Sequence, residues 1–269
     1  MTKKTNLLVK NVFLALLFII LIVTLIVIEF FNVHLFENSL ASSMFENSIL
    51  RFLGGVIFMV ILFRLGFSKL FKFNKTLTPL ILIIPALIIS VNNFPISAYF
   101  NGRTSLNEPI YTIYIFALEC ISIGFFEEII FRGLLLTLFL QKLPKSRKGV
   151  FGAIVLSSAV FGFIHALNLF SGASLGNTFL QIGYSFLIGM MWAVMYLKTK
   201  NIWLVMILHA TYNFFGLVMF QLGDVVNRYD SITVFITVIL SITVTMYSIQ
   251  LFYTLHNEEE SKIKVDIAL

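Results

Sequence analysis

Glu127 and Glu128 stand side by side in an apolar run, and Arg132 follows four residues after the second. A charged side chain at the centre of a membrane helix costs roughly 2.5–3.5 kcal/mol on insertion scales, so such groups need partners inside the protein and mark a functional site by default. Glu128 and Arg132, at helical i,i+4 spacing, share one face and can pair. Glu127 projects about 100° away on the same helix and is free to face another neighbour. Gly124, one turn earlier, opens space beside it. Two of the four histidines in the chain also fall in apolar runs. His165 has Ser158 and Gly162 on its side of the helix, and His209 has Asn213 one turn further on. Two carboxylates, two imidazoles and an amide suit acid–base chemistry: a group that takes and returns a proton, and donors that steady a developing oxyanion.

Simpler readings exist for each piece. A membrane His or Asn can bond a neighbouring helix, for under about 2 kcal/mol. The Glu-Glu-Arg group alone could be a buried ion network. Cys120 reads as a small buried hydrophobe. As the single cysteine it can form no internal disulfide. Glu29 and Glu119 fall near the outer interface. A nucleophile elbow, a phosphate loop and a cysteine metal cluster are all lacking in the sequence.

The elements that must position these groups are membrane helices. Of 269 residues, 59% are hydrophobic and 12% charged. Apolar windows of about 20 residues, enough to cross roughly 30 Å of hydrocarbon, recur along the chain. Because lipid leaves no partner for an open backbone, the expected class is all-α: a polytopic integral membrane bundle of about eight spans. They fall near Asn11–Val33, Leu50–Gly66, Leu77–Phe94, Tyr111–Leu140, Val150–Phe170, Phe179–Leu197, Ile202–Phe220 and Ile232–Leu255. The fourth is too long for a perpendicular helix and must tilt, break or extend into water.

Charge placement orients them. With the N-terminus in the cytoplasm, Lys3, Lys4, Lys10, Arg64, Lys69, Lys72, Lys75, Lys142, Lys145, Arg147, Lys148, Lys198, Lys200, Lys262 and Lys264 all lie inside. Arg51, Arg103 and Arg228 lie outside. This positive-inside asymmetry puts both termini in the cytoplasm. The net charge of +6 is spread over short loops and is not a nucleic-acid signal. The first apolar segment is too long for a signal peptide.

Taken together, Glu127-Glu128-x-x-x-Arg132, Phe161-x-x-x-His165 and His209-x-x-x-Asn213 resemble the three motifs of the CAAX-protease and bacteriocin-processing family, also called the Abi family. These are intramembrane glutamic endopeptidases of the type II CAAX prenyl endopeptidase kind. The resemblance implies N-terminal helices over 1–110, a catalytic core over 111–220, and a last helix with a cytoplasmic tail over 221–269. It implies that Glu127, with His165, holds and deprotonates a water. Glu128 and Arg132 would support the site, and His209 with Asn213 would steady the oxyanion. No cofactor is implied.

Three other readings stay open: a zinc variant with Glu127, His165 and His209 as ligands, a non-catalytic immunity or scaffold protein of the same family, and a proton-coupled transporter. Against the last stand unbroken core helices and the lack of an internal repeat. The partners expected are the lipid bilayer and a membrane-associated peptide or protein. The Phe-, Ile- and Lys-rich composition points to a bacterial cytoplasmic membrane. Depth is the difficulty: at 1.5 Å per residue, Glu127 lies roughly 20 Å from its inner loop and His209 roughly 13 Å.

Overall fold

Helix dominates because each helix satisfies its own backbone, as an apolar environment demands. The computed structural model describes Ile19, Val23 and residues 35–72, 80–227 and 230–255. The expected first span, the two termini, Glu29 and the charged tail lie outside the described residues. The helices are α1 (Ser39–Arg64), α2 (Leu80–Val91), α3 (Ile96–Phe100), α4 (Tyr111–Glu128), α5 (Thr137–Lys142), α6 (Arg147–Ile164), α7 (Leu175–Thr199), α8 (Ile202–Gln221) and α9 (Ser231–Tyr253). Among the described residues, five segments are long and apolar enough to cross a membrane: α1, α6 with the turn after it (Arg147–Leu169), α7, α8 and α9. The protein is a multi-pass helical membrane protein. Of the other two expected spans, the third is described over Leu80–Val91, with Pro85 inside it. The fourth contains α4, whose three glutamates set it apart.

Local chemistry places the ends. Asn38 caps α1, accepting from the Ala41 N–H at 2.8 Å. Ser146, Ser174 and Asn201 cap α6, α7 and α8 in the same way. Such caps satisfy amide donors that the first helical turn leaves open. Helix α1 starts at Ser39, well before the expected Leu50. Its polar first half reads as a loop but is helical because its groups find partners. Arg51, expected on the outer side at the start of the second span, lies in the middle of α1 and pairs with Glu119 of α4 at 2.9 Å.

Helices α4 and α8 lie side by side at the centre. Helix α1 flanks α4, α2 covers α8, and α6 and α7 form a hairpin with α9 against α7. The core is centred on Ile129, Ile130, Leu136, Met191 and Trp192, all fully buried. Sequence reading expects helix alone; the structure adds a two-stranded ribbon. Strand β1 (Thr104–Leu106) runs antiparallel to β2 (Gly223–Val225), with Ser105 opposite Asp224. Three-residue strands carry too little periodicity to be read in advance. The ribbon joins the approach to α4 to the exit from α8. Gly223 has to be glycine there, because a Cβ would strike the Ser105 carbonyl.

Beside the ribbon, Asp230 caps α9, accepting from the Thr233 N–H at 2.7 Å. It also receives Arg103 and the Ser97 hydroxyl. The Thr233 hydrogen bonds, followed by those of Arg103 and Ser97, hold the Asp230 carboxyl well below the usual aspartate range. An anion so favoured stabilises the fold at neutral pH. Its contribution is lost as the pH falls below the ordinary aspartate value of about 3.9 and on through the folded value. Asp230→Asn should therefore lower the melting temperature in detergent at about pH 6 and much less at about pH 2.5. An equal deficit at both pH values would contradict this account.

Candidate active site

The fourth expected span is neither broken nor simply tilted. After Glu128 the helix continues through a widened π-helical stretch, Ile129–Leu136, and returns to α-helix in α5. Such insertions are rare and recur at functional sites, because they re-aim side chains without ending the helix. The Thr137 hydroxyl donates to the Arg132 carbonyl at 3.3 Å, meeting part of the backbone demand of the wide turn.

The π stretch leaves Glu128 and Arg132 facing inward. Arg132 Nη1 is 2.8 Å from Glu128 Oε1, and both side chains are essentially inaccessible. Arg132 Nη2 also donates to the Gly189 carbonyl of α7 at 3.2 Å, and its guanidinium lies 4.8 Å from the Phe161 ring centroid. The expected pairing of Glu128 with Arg132 is present, but Glu128 does more than pair. Its Oε1 also meets His209 Nδ1 at 2.8 Å. The other ring nitrogen of His209, Nε2, lies 3.6 Å from Glu127 Oε2. That is ion-pair range but longer than a hydrogen bond. His209 thus bridges the two glutamates, so groups that the depth estimate set apart meet in the fold.

Charge decides how the bridge works. A carboxylate oxygen set between a guanidinium and an imidazole accepts from both, so the shared contact is read with His209 Nδ1 as the donor to Glu128 Oε1. Accessibility separates the glutamates: 21% of the Glu127 side chain is exposed, and none of Glu128. Glu127 is the carboxylate a substrate can meet.

Phe161 gathers the remaining groups. Its ring stands edge-on to His165 at 5.5 Å between centroids and to His209 at 5.8 Å. His165 opens the turn His165–Leu169 at the end of α6. Its Nδ1 lies 3.3 Å from Gln181 Nε2 of α7, and Gln181 Oε1 accepts from Asn168 at 2.8 Å. Asn213 follows His209 by one turn on α8 and is half-buried. Among the described residues its side chain makes no hydrogen bond. The structure thus clusters Glu127, Glu128, Arg132, His165 and His209 and leaves Asn213 beside them.

Glycines set the spacing. A Cβ on Gly124 would lie 2.6 Å from the Met206 carbonyl oxygen of α8. A Cβ on Gly189 would lie 2.9 Å from the Phe161 ring. Without these glycines, α4 could not approach α8, nor α7 approach α6. Sequence reading missed Gln181, and missed the pair of Arg51 with Glu119. The usable signal for Gln181 was a lone amide in an otherwise apolar helical run. Among the described residues, no three His, Cys, Asp or Glu side chains are placed to hold one metal ion. The set Glu127, His165 and His209, weighed above as zinc ligands, is therefore not gathered around one metal position among the described residues.

A buried glutamate, an accessible one, an arginine and two imidazoles meet within the helical bundle of a membrane protein. The family model described as Type II CAAX prenyl endopeptidase Rce1-like matches residues 109–215. The matched segment resembles this CAAX-protease family, and all of the motif positions fall inside it. That family is one of proteases, which supports a hydrolase at the coarse level. Neither the curated proteins nor the solved structures contain a significant match.

Two substitutions test this construction. Arg132→Leu leaves Glu128 as a buried charge without its cation, and should cost about 3–5 kcal/mol of stability. Gly124→Ala forces α4 from α8 and should cost about 1–3 kcal/mol. Unfolding in mild detergent measures both, and a change within about 0.5 kcal/mol for either would refute its assigned role.

Proposed function

We propose that the chain is an intramembrane endopeptidase that cleaves a membrane-associated peptide or protein with a water activated by glutamate. The observation that carries this is the His209 bridge, which holds an accessible glutamate against a buried, charge-fixed one. Glu127 takes a proton from a water that His165 helps to hold. The hydroxide adds to the scissile carbonyl carbon, and the carbonyl electrons move onto its oxygen. His209, in its protonated form, and the Asn213 amide donate to that oxyanion, each for a few kcal/mol in a water-poor site. The intermediate collapses, the carbon–nitrogen bond breaks, and Glu127 returns its proton to the leaving amine. Glu128 and Arg132 hold His209 and keep the fixed charge of the site paired.

The reading assigns the protein no cofactor, and the bilayer of a bacterial cytoplasmic membrane as its setting. The basic ends of α5, α6 and α7 face the cytoplasm. The family name does not decide between prenylated and unprenylated substrates. Purified protein in liposomes should therefore be given a farnesylated CAAX peptide and an unprenylated, membrane-anchored peptide. Glu127→Gln should abolish cleavage of whichever is cut, with melting temperature and insertion unchanged. Full cleavage by Glu127→Gln would sink the mechanism. Full biological complementation by it would favour a scaffold or immunity role instead.

A further inference from the structure

We propose that Gln181 is a positioning residue that fixes the tautomer of His165, making this histidine a hydrogen-bond donor rather than the base. The proposal rests on the peptidase reading above and divides its labour more sharply. A neutral imidazole has one donor nitrogen and one acceptor nitrogen, and the partner of one decides the role of the other. Asn168 donates its amide to Gln181 Oε1 at 2.8 Å. That turns the NH2 end of Gln181 toward His165, where Nε2 lies 3.3 Å from the ring Nδ1. The two amides form a directional chain, Asn168 to Gln181 to His165, in which Nδ1 accepts. The single proton of the neutral ring then sits on Nε2.

The fold builds this relay at the tip of the α6–α7 hairpin. A Cβ on Gly162 would lie 2.9 Å from the Ile182 carbonyl oxygen, so glycine lets the helices close at this level. Gln181, adjacent to Ile182, then reaches the ring one turn beyond Gly162. His209 is held in the opposite sense, with Nδ1 donating to Glu128. The site therefore contains two imidazoles whose Nδ1 atoms play opposite parts, accepting in His165 and donating in His209, beside one accessible carboxylate. An Nε2–H on His165 can hold a water oxygen but cannot take the water's proton. Proton uptake falls to Glu127.

The test reads the ring directly. Full-length protein labelled with ring-15N histidine is placed in phosphatidylcholine–phosphatidylglycerol bilayers at about pH 8, where histidine is neutral. The His165 signals are assigned by their loss in His165→Gln. The expected spectrum has Nε2 protonated and Nδ1 bare. Gln181→Glu preserves the shape and the bond from Asn168 but presents an acceptor to Nδ1, so the proton should move to Nδ1. A wild-type ring protonated on Nδ1, or a tautomer unmoved in Gln181→Glu, overturns the proposal. On whichever peptide the wild type cuts, Gln181→Glu should lower kcat about 10- to 100-fold with KM little changed, the range for residues that orient a histidine. A kcat at the wild-type level with the tautomer moved also overturns it. Failure of the peptidase reading would appear separately, as cleavage by Glu127→Gln with the spectra as expected.

Discussion

One buried carboxylate organises this protein. Glu128 is fully inaccessible and shares a single oxygen between Arg132 and His209. Its second oxygen has no hydrogen-bond partner among the described residues. Buried charges are tolerated only when the geometry around them is good, because desolvation costs several kcal/mol per ion. The surroundings meet that demand by drawing on three elements. The π stretch supplies Arg132, α8 supplies His209, and the Gly189 carbonyl of α7 receives the free end of the guanidinium. Removing the charge from Glu128 would release all three.

Backbone approach follows from the same constraint. Short contacts between charged groups require helices closer than ordinary side chains allow. Gly124 against Met206, and Gly189 against Phe161, provide that closeness. Phe161 then serves both polar groups and packing. It lies beneath the Arg132 guanidinium and edge-on to both histidines. An aromatic ring suits this place because its face attracts cations and its edge meets neighbouring rings.

Much of this was legible in the sequence. Helical spacing predicted that Glu128 would meet Arg132 and that Glu127 would face elsewhere; Gly124 was read only as space beside Glu127, and its close approach to Met206 came from the structure. The three short motifs identified the family. What could not be read has physical reasons. Fixed periodicity assumes 3.6 residues per turn, so the π stretch after Glu128 and its effect on depth were invisible. Polarity suggests a loop, so the first half of α1 was missed, and with it the pairing of Arg51 with Glu119. Helix-to-helix register decides partners, so the shared use of His209 by both glutamates and the link from Gln181 to His165 had no sequence signal strong enough to specify them.

The small ribbon has a mechanical meaning. Strands β1 and β2 connect the start of α4 to the end of α8 through main-chain hydrogen bonds. Both glutamates and one imidazole ride on that connected pair, whereas the second imidazole rides on the α6–α7 hairpin. Sliding α4 past α8 would break backbone bonds, but tilting the hairpin would disturb only side-chain contacts such as that of Arg132 with Gly189. The ribbon thus holds in fixed register the two helices that carry both glutamates and His209.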